Sequence, residues 1–300
     1  MALNTPIFPG AMRTNLFLSP LEIEDVFLVK NTPRLIAVRL LSVLALLFVA
    51  GAFSAPAANA ALGIAPSPRI IGGQQNNNPW VIQLGNITER TATGVRLSLC
   101  TGEALNDHWV LTAKHCVAAV GGGTAAAADL FSVRVNGVAT NSTADRQNSR
   151  NWVYADRVQT WADGDLALIH FAASTGLANY PTIAAAYDPT ENDAGVVQGY
   201  GLRSECNQTQ ADWLYRANIS VLGVSADAEG ADAVHVQGVN GIANHGDSGG
   251  PLTLGNNNQI VGVASTIDGV NCPSNIHGGA NYTNVTLAAP SAWIANTIRG

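Results

Sequence analysis

Three short segments carry side chains that together could cleave an acyl bond. The first, Gly246-Asp247-Ser248-Gly249-Gly250-Pro251, sets a serine among glycines. A serine hydroxyl is a poor nucleophile until a base takes its proton and donors stabilise the oxyanion that follows. Glycine beside the serine lets the backbone turn the N–H groups of Gly246 and Ser248 toward one point, an oxyanion hole. Such a six-residue string arises by chance at a given position on the order of once in ten million. The second segment, Trp109-Val110-Leu111-Thr112-Ala113-Lys114-His115-Cys116, runs a strand into a small-residue turn that ends on a histidine locked beside a cysteine. An imidazole titrating near neutrality can accept the serine proton and return it to a leaving group. His108, His170, His235, His245 and His277 have no such setting. The third segment is Asp163-Gly164-Asp165-Leu166-Ala167-Leu168-Ile169. Asp165 stands directly before the apolar run, where it would enter a buried environment, fix the imidazole tautomer and stabilise its cation. Asp163 is its rival and otherwise reads as a turn residue.

These residues must be positioned by the rest of the chain. Its 300 residues are enough for about two domains' worth of core. With 47% hydrophobic and only 12% charged residues, 30 Gly and 13 Pro, the chain is neither disordered nor a coiled coil. A net charge of −6 without a basic run gives a phosphate-binding surface no support, so no nucleic-acid partner is expected. No paired cysteines at ligand spacing and no His-x-x-x-His cluster occur, and neither metal nor cofactor is expected.

The apolar runs are brief and punctuated by Gly, Asn, Asp and Pro. Trp80–Leu84, Trp109–Thr112, Phe131–Val135, Leu166–Ile169, Val196–Gln198, Ala233–Val236 and Gln259–Ala264 have strand composition. Asn136-Gly137 signals a tight turn, Gly121–Ala128 a surface loop, and Gln74–Asn78 and Asn256–Asn258 further turns. One helix is expected from about Ser291 to Arg299, where Ile294 and Ile298 sit four apart. Without helix–strand alternation a parallel doubly wound sheet is excluded, and an all-β barrel or sandwich with a terminal helix remains.

The amino-terminal part differs in character. Leu40–Phe53 is an apolar run of roughly fourteen residues, preceded by Lys30, Arg34 and Arg39 and followed by Ala58-Asn59-Ala60. It is too short to span a bilayer comfortably and fits a signal peptide of about 29–60 within an extended signal region, 1–60. Export without a stable membrane anchor follows. The acidic Glu22, Glu24 and Asp25 precede the basic flank, which suggests translation from Val29, and residues 1–28 are kept out of the fold. Residues 61–69 read as a short propeptide ending at Arg69. The remaining 70–300 segment holds ten basic and eighteen acidic residues and all four cysteines, which suits an oxidising compartment.

The order His115, Asp165, Ser248 resembles that of the chymotrypsin-like serine endopeptidases, in the form that bacteria secrete. Ile70-Ile71-Gly72-Gly73 looks like the family's new N-terminus after activation, and Leu99-Cys100-Thr101-Gly102 like its cysteine-bearing strand. Gly199-Tyr200-Gly201 matches a Gly-aromatic-Gly turn, and Tyr282-Thr283-Asn284-Val285 with the helix around Trp293 matches the family's C-terminal end. The resemblance spans the whole 70–300 peptidase domain. It implies an all-β fold of two six-stranded antiparallel barrels packed face to face with a C-terminal helix. The first barrel would cover about 70–180 and the second about 181–300, with the active site between them. It also implies a latch, in which the ammonium of Ile70, freed by an activating protease cutting after Arg69, pairs with Asp247 and sets the oxyanion loop. Polypeptides are the expected substrates, and a monomer is the expected state.

Four cysteines allow three pairings. The resemblance favours Cys100 with Cys116, leaving Cys206 for Cys272, although the family's usual partner position for Cys272 is here Asn244. By the same alignment Ile242 lies at the base of the substrate pocket. Ser265-Thr266-Ile267 would wall that pocket and pair with substrate backbone, with Ala280 on the opposite wall and His245 at the entrance. An uncharged base and a branched Ile267 favour small or medium apolar P1 side chains. A catalytically inactive homologue used for binding is the alternative, and Ile267 and Thr101-Gly102-Glu103 point toward restricted cleavage. The residue order and missing helix–strand alternation disfavour an α/β-hydrolase esterase.

Overall fold

The computed structural model describes residues 16–17, 70–117, 127–135, 138–139, 143–255, 258–269, 272 and 275–300. The rest of the signal region, the propeptide with Arg69, the Asn136-Gly137 turn and Gly121–Ala126 lie outside the described residues.

The first half is built from β1 (Val81–Arg90), β2 (Val95–Ala104), β3 (Trp109–Thr112), β4 (Leu130–Val135), β5 (Trp152–Tyr154), β6 (Arg157–Thr160) and β7 (Ala167–His170). They pair in the order β4-β1-β2-β3-β7-β6, with β5 on β4, and form an open half-barrel. The second half holds β8 (Ala194–Gly199), β9 (Tyr215–Ala226), β10 (Asp232–Gly238), β11 (Pro251–Leu254), β12 (Gln259–Ile267) and β13 (Gly279–Asn284). These follow one another around a ring, β12-β11-β8-β9-β10-β13, and β13 returns to β12, closing a six-stranded barrel. The helix α1 (Ala288–Arg299) ends the chain. The fold is therefore all-β with one terminal helix, and only the second of the two expected barrels is closed by pairing.

Strand composition located seven of these elements, each within a few residues. Six were passed over: β5 and β6, of three and four residues, and β2, β9, β11 and β13. Polar residues dilute the apolar signal of the last four, yet β9 alternates inward and outward over its first eight residues, as a strand with one covered face must. Gln74–Gln75 is not a turn but a short strand against Tyr215 and Arg216 of β9. Leu16–Phe17, set aside by the sequence reading, also enters the fold. It pairs antiparallel with β12, Leu16 opposite Ile267 and Phe17 opposite Thr266. An unpaired strand edge offers N–H and C=O groups that template such an addition.

The two halves share one core. Val81, Leu111 and Leu168 of the first sheet pack in the same cluster as Tyr200, Ile260, Val263 and Ile294. The Tyr200 hydroxyl donates to the Val81 carbonyl at 3.0 Å, so the largest side chain crossing between the halves is also hydrogen-bonded. Trp293 of α1 lies 6.5 Å from Trp161, ring centre to ring centre. Because Ile294 is buried in this shared cluster, Ile294→Ala should cost about 2–5 kcal/mol in urea unfolding. A loss near zero would show that α1 does not help to hold the halves together.

Candidate active site

His115 owes its place to β3. Ala113 leaves that strand in extended conformation, and Lys114–Cys116 form one 3-10 turn. Cys116 is tied to Cys100 on β2 by a disulfide, which anchors the turn beside the core. The imidazole Nδ1 lies 2.7 Å from Asp165 Oδ2, and the His115 backbone N–H donates to Asp165 Oδ1 at 2.9 Å. A third donor comes from the second half: Ser265 Oγ reaches Asp165 Oδ2 at 2.6 Å. Asp165 is wholly buried, whereas Asp163 is exposed, which decides between the two carboxylates.

The backbone of Asp165 is held as firmly as its carboxylate. Its N–H donates to Asp227 Oδ2 at 2.8 Å, and the Thr283 hydroxyl donates to the same oxygen at 2.8 Å. Asp227 Oδ1 accepts from the N–H groups of Glu229 and Ala231, each at 2.9 Å. The next residue in that loop, Ala228, donates its N–H to Ser265 Oγ at 3.0 Å, leaving the serine proton for Asp165. One β9–β10 loop thus grips Asp165 from two sides. Asp227 escaped the sequence reading because it sits in an ordinary Asp-Ala-Glu-Gly turn, and only the fold carries it to Asp165.

Ser248 lies in the turn before β11 and is fully buried. Gly249 follows it with φ +78°, and a Cβ there would approach the Ala113 nitrogen to 2.8 Å and strike the Thr112 hydroxyl. The glycine lets the serine loop settle on the residues leading into His115. The Ser248 carbonyl oxygen sits 3.6 Å from Cys116 Sγ. The fold therefore joins His115 to Asp165 through the paired strands β3 and β7 and lays the Ser248 backbone against the turn that carries His115.

Asp247 is buried beneath this loop. Its Oδ1 accepts from the Gly201 N–H at 2.7 Å and its Oδ2 from the Asn244 N–H at 2.8 Å. Burial pushes its carboxyl up to about 7, although these two bonds pull the other way. Ile70 is also buried, and its φ of +43° is unusual for a β-branched residue. Glu103 is a second buried acid near Tyr282, with neither carboxyl oxygen hydrogen-bonded, and burial holds it well above the usual carboxylate range.

Several residues expected around the substrate pocket do other work. Ile242, Ile267 and Ala280 are each no more than 1% exposed and belong to one apolar cluster, with Ile267 directly opposite Ala280 on neighbouring strands. Ile242 also donates its N–H to the Ile71 carbonyl at 2.9 Å. The side chain of Ser265 turns to Asp165 rather than lining a pocket. His245 faces Glu205, Nε2 to Oε1 at 3.2 Å. The second disulfide joins Cys206 to Cys272. Among the described residues no group of three or more His, Cys, Asp or Glu side chains could hold a metal ion, and no helix is long and apolar enough to cross a membrane.

A barrel and half-barrel meeting at a His–Asp pair and a glycine-flanked serine define the trypsin-like fold. The trypsin family model matches residues 70–292, and the chain belongs to the trypsin family. It is 27% identical over 233 residues to "Snake venom serine protease 3" of Protobothrops flavoviridis, covering 68% of this chain and 79% of that one. Among solved structures it resembles the scabies mite inactivated protease paralogue S-D1, with a TM-score of 0.58 at 19% identity over 77% of this chain and 97% of that one. Paralogue S-I1 gives a TM-score of 0.54 at 18% identity over 76% and 99%. These relatives come from a snake and a mite and lend no support to a bacterial type.

In the uncut chain Ile70 has an amide nitrogen, so the buried Asp247 carboxyl favours its neutral form. With a folded value raised to about 7, the folded state holds more protons than the unfolded one between about pH 4 and 7, and stability falls as pH rises through that window. Thermal unfolding of the uncut chain should show this decline, and Asp247→Asn should make it shallower, with the contribution of Glu103 remaining. An unchanged slope in the variant would place the titration elsewhere.

Proposed function

We propose that this chain is a secreted serine endopeptidase that hydrolyses peptide bonds through an acyl-enzyme. The bond between His115 Nδ1 and the buried Asp165 carries the reading. With Nδ1–H donated to Asp165, the neutral ring presents Nε2 as the base. Nε2 takes the Ser248 proton as Oγ attacks the scissile carbonyl carbon. The N–H groups of Gly246 and Ser248 stabilise the oxyanion of the tetrahedral intermediate. Collapse breaks the C–N bond, His115 returns the proton to the leaving amine, and water releases the acyl group by the same steps. Asp165, held by three donors, stabilises the imidazolium without taking its proton.

Two further features support the reading. The β12 edge at Thr266 and Ile267 already accepts an extended segment, Leu16–Phe17, and a substrate backbone would add there in the same way. Ile70, buried with a positive φ while still joined to Arg69, is placed to benefit from cleavage. Its new ammonium would enter a region where Asp247 needs a counter-ion. Two disulfides and a relative named for venom agree with secretion. A preference for small or medium apolar P1 side chains rests on the family resemblance alone, because Ile242, Ile267 and Ala280 are buried in the barrel core. The same burial favours the second reading, a binding protein that has given up cleavage, as do the names of the mite paralogues.

A fluorophosphonate separates the two. Cleavage after Arg69 should yield a protein labelled stoichiometrically at Ser248, and Ser248→Ala or His115→Ala should reduce peptide hydrolysis by at least about 10⁴-fold. A matured chain that takes no label is the binder. Arg69→Gln should give an exported but unreactive precursor, and full labelling of that variant would remove the latch.

A further inference from the structure

Thr101, one residue past Cys100 on β2, is wholly buried, and each of its polar atoms holds a different part of the site. Its N–H donates to the Ser248 carbonyl at 2.9 Å. Its carbonyl accepts from the Thr112 hydroxyl at 2.8 Å, on the strand that leads to His115. Its hydroxyl accepts from the Tyr200 N–H at 3.1 Å and lies 3.0 Å from the Gly246 carbonyl oxygen. A backbone N–H can only donate, so the single hydroxyl proton of Thr101 goes to Gly246.

We propose that the Thr101 hydroxyl is a positioning group that sets the oxyanion loop, an inference that rests on the serine protease reading. The two residues whose N–H groups form the oxyanion hole, Gly246 and Ser248, both have their carbonyls bound by Thr101. Any residue type but proline could supply the main-chain bond to Ser248. Only a hydroxyl can accept from Tyr200 and donate to Gly246 at once. Gly246, at φ +89°, has no Cβ to restrict rotation of its flanking peptides. The peptide before it is held by the bond from the Leu202 N–H to the His245 carbonyl at 2.7 Å. The peptide after it is held at its N–H by the Asn244 carbonyl at 2.9 Å and at its oxygen by Thr101. Removing the hydroxyl would leave the buried Gly246 carbonyl without its donor and the Tyr200 N–H without its acceptor, and would leave the peptide after the glycine held at its N–H alone.

The test compares wild type, Thr101→Val and Thr101→Ser as full-length chains, before and after limited proteolysis at Arg69. N-acetylalanine 4-nitrophenyl ester gives kcat and KM, and a fluorophosphonate gives the labelling rate at Ser248. Because loss of the hydroxyl loosens an oxyanion donor rather than deleting it, Thr101→Val should lower kcat and the labelling rate about tenfold, with KM within about twofold. Thr101→Ser should stay within about twofold of wild type in both. Hydrogen–deuterium exchange of peptides covering Tyr200 and Gly246–Ser248 should quicken in Thr101→Val and not in Thr101→Ser. Wild-type kcat in Thr101→Val, or a serine variant as slow as the valine one, overturns the proposal. A wild-type chain that neither turns over nor labels refutes the protease reading instead, and the exchange data then judge the tether, unchanged exchange overturning it.

Discussion

The structure depends on satisfying one buried carboxylate. Asp165 has no exposed surface, and an ionised group in that position needs donors on both oxygens. They come from the two halves of the molecule: the His115 ring and backbone from the half-barrel, and the Ser265 hydroxyl from the closed barrel. The same acid therefore orients the imidazole and fixes how the halves meet. The Asp227 loop extends this from the other side, binding the Asp165 N–H and the Ser265 hydroxyl together. A displacement of one half against the other would take away the Ser265 donor and the Asp227 grip, leaving Asp165 with the His115 donors alone.

Asp247 shows the contrast. It too is buried, but its two donors are backbone N–H groups, and burial outweighs them. In the proposed latch the buried Asp247 would meet a newly formed ammonium, whereas Asp165, gripped by three donors, would keep the imidazole in one orientation. Asp165 and Asp247 are thus suited to different tasks, one to fixed orientation and one to a change of state. Neither role needs a special residue type, only a different count and kind of donor.

The expected substrate pocket fared differently from the catalytic group. Ile242, Ile267, Ala280 and Ser265 were placed by alignment with the family's pattern, Ile242 as the sixth residue before Ser248. Alignment locates a residue on a strand but does not say which face it occupies, and a shift of one position reverses the face. Ser265 proved to point at Asp165, and the three apolar residues joined the barrel core. His245, beside the oxyanion glycine in sequence, turned to Glu205.

Composition, the brevity of the apolar runs and the absence of helix–strand alternation were enough to determine an all-β fold with one terminal helix. Residue type and local context picked out Ser248, His115 and Asp165, because a glycine-flanked serine, a histidine beside a cysteine and an acid before an apolar strand are each distinctive over a few positions. Strand composition missed β2, β5, β6, β9, β11 and β13, because polar residues interrupt them or they run only three or four residues, and their place in a sheet comes from neighbours distant in sequence. Barrel closure, the grip of Asp227, the second role of Ser265 and the four-way bonding of Thr101 belong to tertiary structure. Each is a hydrogen bond or packing contact between segments tens of residues apart, and no local pattern encodes which distant donor will arrive at a given oxygen.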